Sequence, residues 1–273
     1  MSLSTVLFLF LAHLGVGIIL TLVFVSKDAG VKFFRFNAGL AAILLMVALA
    51  FRYGALGPAD TDTSRAGIYG LIALDCATAA VIVYWATVGR RLATIRPALV
   101  SVGVVGGVVA IVCEALAVTA GRSMASQALT IASFISSAVL LGGTCTAMIL
   151  GHWYLVIPSL QVSHLQSLVK WHMASMVLRI VVVSAAIVLA LATWQPGLGP
   201  SFRHYITSID GIFFWQRVLF GLVGPAILSY LTWETAKIRA TQSATGILYV
   251  DLFTVVVGEI LAKYILLATR VPV

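Results

Sequence analysis

The chain has 273 residues, of which 61% are hydrophobic and only 10% charged, with a net charge of +8, and its mean hydropathy is +1.09. A soluble domain carries about 25% charged residues, so a soluble globular enzyme is excluded, as are a disordered chain, a nucleic-acid-binding domain and a disulfide scaffold. The basic excess has a topological reading, because membrane proteins concentrate Lys and Arg in their inner loops.

A bilayer core takes about 20 mostly apolar residues per helix. Eight runs qualify, at roughly 3–25, 34–51, 66–88, 97–120, 127–156, 171–194, 212–236 and 246–269. The expected fold class is therefore all-α, a polytopic membrane helical bundle of eight transmembrane helices forming one integral membrane domain over 1–273. It divides loosely into helices one to four and five to eight. The first run follows no basic segment and reads as a retained span rather than a cleaved leader. Short polar breaks separate the runs: Ser26–Gly30, Gly57–Asp62, Gly89–Arg91 and Gly121–Ser123. Pro97 stands where the fourth helix would begin, as Pro at a first helical position should. The longest connection, Gln195 to Asp210, is rich in Pro and Gly and offers a partner contact through Phe202 and Tyr205.

Orientation follows from the basic residues. Lys27, Lys32, Arg35, Arg90, Arg91, Arg96, Lys170, Lys237 and Arg239 fall in odd-numbered loops, against Arg52, Arg65, Arg122, Arg203 and Arg270 in even loops and the C-terminal tail. The positive-inside rule then places odd loops in the cytoplasm and both termini outside. The expected location is a bacterial or archaeal inner (cytoplasmic) membrane. Cys76, Cys113 and Cys145 lie in apolar runs without a CxxC spacing. They are too few for a four-thiolate iron–sulfur cluster and read as packed free thiols. No metal site is expected.

Ionisable groups inside a membrane are costly and face a bundle interior, a cavity or a partner. This chain has many. One set, His13, Asp75 and Glu114, sits on helices one, three and four in the outer half or midplane. A His and a carboxylate at matched depth can bind a quinone head group and exchange its protons. The bland alternative is three separately satisfied polar groups that tie helices together, and an ion or substrate pathway stays open beside it. A second set belongs to the last four helices: Arg179, Asp251, Glu259 and Lys263, with Arg217 in helix seven. Glu259 and Lys263 are four apart on one helix face, the spacing of an ion pair. They read either as mutual neutralisation or, with Asp251 and Arg179, as a proton pathway. His152 and His172 are candidate axial ligands of a haem b. His152 also sits in Gly-His-Trp-Tyr-Leu, the composition of an interfacial belt. Gly103 and Gly107 form a GxxxG, which favours close helix contact.

Eight helices with both termini outside, a His in helix one and acidic residues in helices three and four resemble the NrfD/PsrC/DmsC family of quinone-interacting membrane anchor subunits. The segment Val257–Tyr264, with its Gly-Glu pair, is similar to the final helix of the DmsC branch. The resemblance covers the whole chain as topology and a handful of residues as sequence. It implies a membrane anchor of a respiratory oxidoreductase, exchanging electrons between menaquinone or ubiquinone and an iron–sulfur or cytochrome partner subunit. It implies no covalently bound cofactor, and a quinone pocket at His13 with Asp75 and Glu114 as compatible acidic positions. The alternatives are a haem b anchor, a small secondary transporter and a structural membrane subunit.

Overall fold

A computed structural model describes residues 3–55, 64–90, 93–157, 161–193 and 201–273. The Gly57–Asp62 break, Arg91 and the first part of the long connection, Gln195 to Pro200, lie outside the described residues. The helices are α1 (Leu3–Leu22), α2 (Gly30–Ala55), α3 (Arg65–Thr87), α4 (Arg96–Val118), α5 (Met124–Val156), α6 (Val162–Ala192), a short α7 (Phe202–Thr207), α8 (Ile212–Val218), α9 (Gly224–Lys237) and α10 (Thr241–Thr269). A π-helical turn, Leu219–Val223, joins α8 and α9 into one span. Among the described residues there is no strand. Eight helical segments are long and apolar enough to cross a membrane, with α8, the π-turn and α9 as the seventh and α10 as the eighth. The chain is a multi-pass membrane protein.

Local chemistry sets the helix starts. Ser64, Ser123 and Ser201 accept hydrogen bonds from the backbone N–H of Gly67 (3.1 Å), Ser126 (3.3 Å) and His204 (3.0 Å), the N-cap arrangement that satisfies an otherwise orphaned donor. Pro97 occupies the first turn of α4. Between α4 and α5 the chain reverses at Gly121, whose φ of +76° a side chain would resist.

The largest boundary difference from the hydropathy reading is at the start of α6. α6 begins at Val162, nine residues before the apolar run at 171. Apolar runs mark the hydrocarbon slab, whereas the helix continues as long as polar side chains find partners. Gln166 donates to the Ala236 carbonyl (3.0 Å), and Lys170 lies over the Trp233 ring (5.0 Å to its centroid). Lys170 therefore belongs to a helix, not to the fifth loop.

Two helices form the centre. In its most apolar stretch α5 is 89% buried and α1 78%, against 33–44% for the other spans, which ring them. α1 and α5 meet at Gly17 and Gly142, where a Cβ on either residue would overlap the other helix's backbone. Gly103 and Gly107 do admit close neighbours, Val81 of α3 and Val16 of α1 respectively. Gly142→Ala is expected to cost about 1–3 kcal/mol through overpacking. Thermal unfolding of the detergent-solubilised protein checks it, and an unchanged midpoint would mean that the two backbones separate freely.

With eight alternating spans, residue 3, the α4–α5 turn and residue 269 share one membrane face, here called the first face. The turns after α1, α3, α5 and α9 lie on the opposite face.

Candidate buried charge site

α10 carries Glu259 toward the centre of the second half of the bundle, fully buried. Its Oε1 accepts from Arg179 Nε on α6 (2.9 Å) and from Arg217 Nη2 on α8 (3.0 Å). Its Oε2 accepts from Arg179 Nη2 (3.1 Å), from Lys263 Nζ one turn along α10 (2.8 Å) and from Ser137 Oγ on α5 (2.5 Å). Arg179 is a two-point clamp on the carboxylate, the strong form of such a pair. Its remaining Nη1 donates to the carbonyl and hydroxyl of Ser133 (2.9 and 2.7 Å). Lys263 also donates to Ser137 Oγ.

His13 of α1 joins this group. Its Nδ1 lies 3.2 Å from Ser137 Oγ, and its ring packs edge-on against Phe134. Since the one Ser137 hydroxyl proton goes to Glu259, His13 must donate from Nδ1. A neutral imidazole in that tautomer presents Nε2 as an acceptor. Three cations therefore surround one carboxylate, and the surplus stands out in the hydrogen bonding. Among the described residues, Arg217 Nε and Nη1 and His13 Nε2 find no hydrogen-bond partner although buried. Buried polar groups are normally satisfied.

The seventh span is shaped around Arg217. Pro225 has no N–H to give the Gly221 carbonyl, and the helix opens into the π-turn at Leu219, two residues after Arg217. Such turns recur at functional sites. Gly221 lies against Arg217 Nη1 and against Gly258 of α10, so the absence of two Cβ atoms lets the guanidinium reach Glu259.

A second buried group lies toward the opposite face. His172 of α6 and Asp251 of α10, both fully buried, meet Nε2 to Oδ2 at 2.7 Å. His172 Nδ1 lies 3.0 Å from Thr144 Oγ1, whose own proton goes to the Leu140 carbonyl (2.8 Å). Nδ1 is therefore a donor, and the close approach of Nε2 to a carboxylate oxygen needs one more proton between them. The pair holds it either as imidazolium and carboxylate or as imidazole and carboxylic acid. Eight residues of α10 separate Asp251 from Glu259, about 12 Å of rise. Buried Ser175 and Thr254 lie on that stretch of α6 and α10. Further out, His152 Nδ1 lies 3.0 Å from the Tyr249 hydroxyl in an exposed position.

The sequence-predicted residues thus regroup. Arg179, Glu259 and Lys263 come together as one cluster, and Asp251 forms a separate pair with His172. His13 belongs to the Glu259 cluster. Asp75, half-buried on α3, instead accepts from the Tyr53 hydroxyl of α2 (2.7 Å). Glu114, buried on α4, lies beside Gly70 of α3. His172 has both ring nitrogens engaged, by Thr144 and Asp251, and His152 is bonded to Tyr249. Among the described residues no three His, Cys, Asp or Glu side chains converge to hold a metal ion. Cys76, Cys113 and Cys145 are free thiols. No protein-family model, no curated protein and no solved structure matches this chain.

Sequence reasoning passed over Ser133, Ser137 and Thr144. The signal was present as spacing: 133, 137, 140 and 144 recur at helical intervals on one face of α5. Arg217 was visible as a charge in a span, but nothing in its neighbourhood linked it to a residue 42 positions away.

Proposed function

We propose that the chain is the quinone-interacting membrane anchor subunit of a respiratory oxidoreductase, with its quinone chemistry placed at the Glu259 cluster. The observation that carries this reading is the set of unmet groups in a buried charged site, Arg217 Nε and Nη1 as donors and His13 Nε2 as an acceptor. A quinone carbonyl accepts from one of the two Arg217 donors, and a quinol hydroxyl donates to His13 Nε2. A passive anchor has no use for a carboxylate held by three cations inside the membrane, because such groups are expensive to desolvate. Quinol oxidation releases two electrons and two protons. The electrons pass to an iron–sulfur or cytochrome partner, and the two protons are taken up one after the other by His13, each leaving through the hydrogen-bonded Ser137 and Glu259 before the next arrives. Asp251 and His172 extend the proton route toward the opposite face. The proposed setting is a bacterial or archaeal cytoplasmic membrane with the termini outside, supported by the basic residues of the odd loops.

A second reading is a secondary transporter for an anion. The surplus positive charge beside an interrupted helix favours it, since broken helices mark substrate sites in such proteins. Purification from the native membrane separates the two. The expected result is a complex with a redox subunit whose cofactor is reduced by added quinol. A lone chain that accumulates anions in vesicles would overturn the quinone reading and support the second.

A further inference from the structure

On the outer surface of the first half of the bundle, α2 and α3 leave a groove of about 540 Å³ open to the lipid. Its walls include Phe36, Ile43, Met46 and Trp85, and its polar lining is two cations, Lys32 and Arg35; none of the lining residues is acidic. Both cations lie in the first two turns of α2, and Trp85 is near the last turn of α3, so all three stand at the opposite membrane face. Arg35 lies over the Trp85 ring at 6.0 Å from its centroid. Gly39 makes the room: a Cβ there would sit 2.8 Å from the Trp85 indole nitrogen.

We infer that this groove is a binding site for one anionic phospholipid of that leaflet, with the phosphate at Lys32 and Arg35 and an acyl chain along α2. Dimensions and charge both support this occupant. From Lys32 to Met46 the helix rises about 21 Å, which matches one leaflet with its head groups, half of a bilayer about 40–45 Å thick. Basic pockets between transmembrane helices hold anionic head groups, and Trp belongs at the head-group level. A neutral quinone brings no negative charge to offset the two cations, and a second copy of the chain packed here about a two-fold axis would bring like charges together. The inference is independent of the proposed quinone chemistry.

Native mass spectrometry of the purified protein with added phosphatidylglycerol or phosphatidylcholine of equal chain length tests it. Wild type is expected to hold one phosphatidylglycerol with a preference of roughly thirtyfold, the attraction of two cations at a membrane surface. Lys32→Gln with Arg35→Gln brings the preference near parity. Ile43→Trp, an exposed position in the groove, weakens binding of both lipids without touching the core. Lys237→Gln with Arg239→Gln, a basic pair at the same face, leaves the preference intact. Persistence of the preference without Lys32 and Arg35 would overturn the site, as would an equal loss in the Lys237 and Arg239 variant. Displacement of the lipid by equimolar glycerol phosphate would also overturn it, because the groove would then contribute nothing. Dimerisation of wild type that Ile43→Trp abolishes would assign the groove to a second copy instead.

Discussion

Glu259→Gln is expected to leave almost no folded protein in the membrane. The carboxylate receives five hydrogen bonds from four side chains, and among the described residues it is the one acidic side chain paired with Arg179, Arg217 and Lys263. A neutral amide keeps the shape but leaves three buried cations repelling one another, and its own N–H group faces donors. Removing one partner of a buried ion pair costs about 3–5 kcal/mol, a large fraction of the stability of most domains. Arg217→Met should behave in the opposite way. Glu259 keeps Arg179, Lys263 and Ser137, while one surplus charge and two unmet donors disappear. The unfolding midpoint of Arg217→Met is expected to equal or exceed that of wild type, with quinol-linked turnover lost. The yield of folded protein from the membrane for both variants, with thermal unfolding of Arg217→Met against wild type in one detergent, makes the comparison. Equal destabilisation by the two would show that Arg217 is an essential counter-charge rather than a surplus one retained for function.

That asymmetry explains what could be read from the sequence. Hydropathy marks where lipid must be, so the eight spans were legible, and so was the pairing of Glu259 with Lys263, because four residues is one helical turn. Helix ends were less legible, since α6 extends nine residues beyond its apolar run into a zone where Gln166 and Lys170 are well partnered. The grouping of polar residues across helices was not legible at all. Depth along a span can be counted, but the face a residue presents depends on which helices are neighbours. His13, Asp75 and Glu114 share a depth range, yet α1 lies against α5 at the Gly17 and Gly142 contact, and that contact brings His13 to Ser137. Asp75 points instead to Tyr53. Arg217 needed a further fact, that Gly221 and Gly258 let α8 and α10 approach closely enough for a guanidinium to enter the cluster.

His13→Gln is the test that separates chemistry from scaffolding. Glutamine preserves a donor toward Ser137 and a polar end of similar length, so assembly and thermal stability should change by no more than about 1 kcal/mol, the value of one hydrogen bond. It lacks a basic nitrogen that can take a proton and pass it to Ser137. Loss of a positioned proton acceptor slows a reaction by about 100-fold or more, so quinol-dependent reduction of the partner's cofactor, per assembled complex, should fall by that factor. Asp75→Asn serves as the contrasting variant, since Asp75 is bonded to Tyr53 and stands apart from the cluster; its turnover should match wild type. Asp251→Asn tests the route beyond the cluster. With an amide against His172 Nε2 no proton is shared, and turnover should slow with a changed pH dependence while the complex still assembles. A purely structural role for these groups predicts the reverse pattern, with less complex recovered and normal turnover in what remains. Normal turnover in His13→Gln together with slow turnover in Asp75→Asn would move the quinone site into the first four helices, away from Glu259.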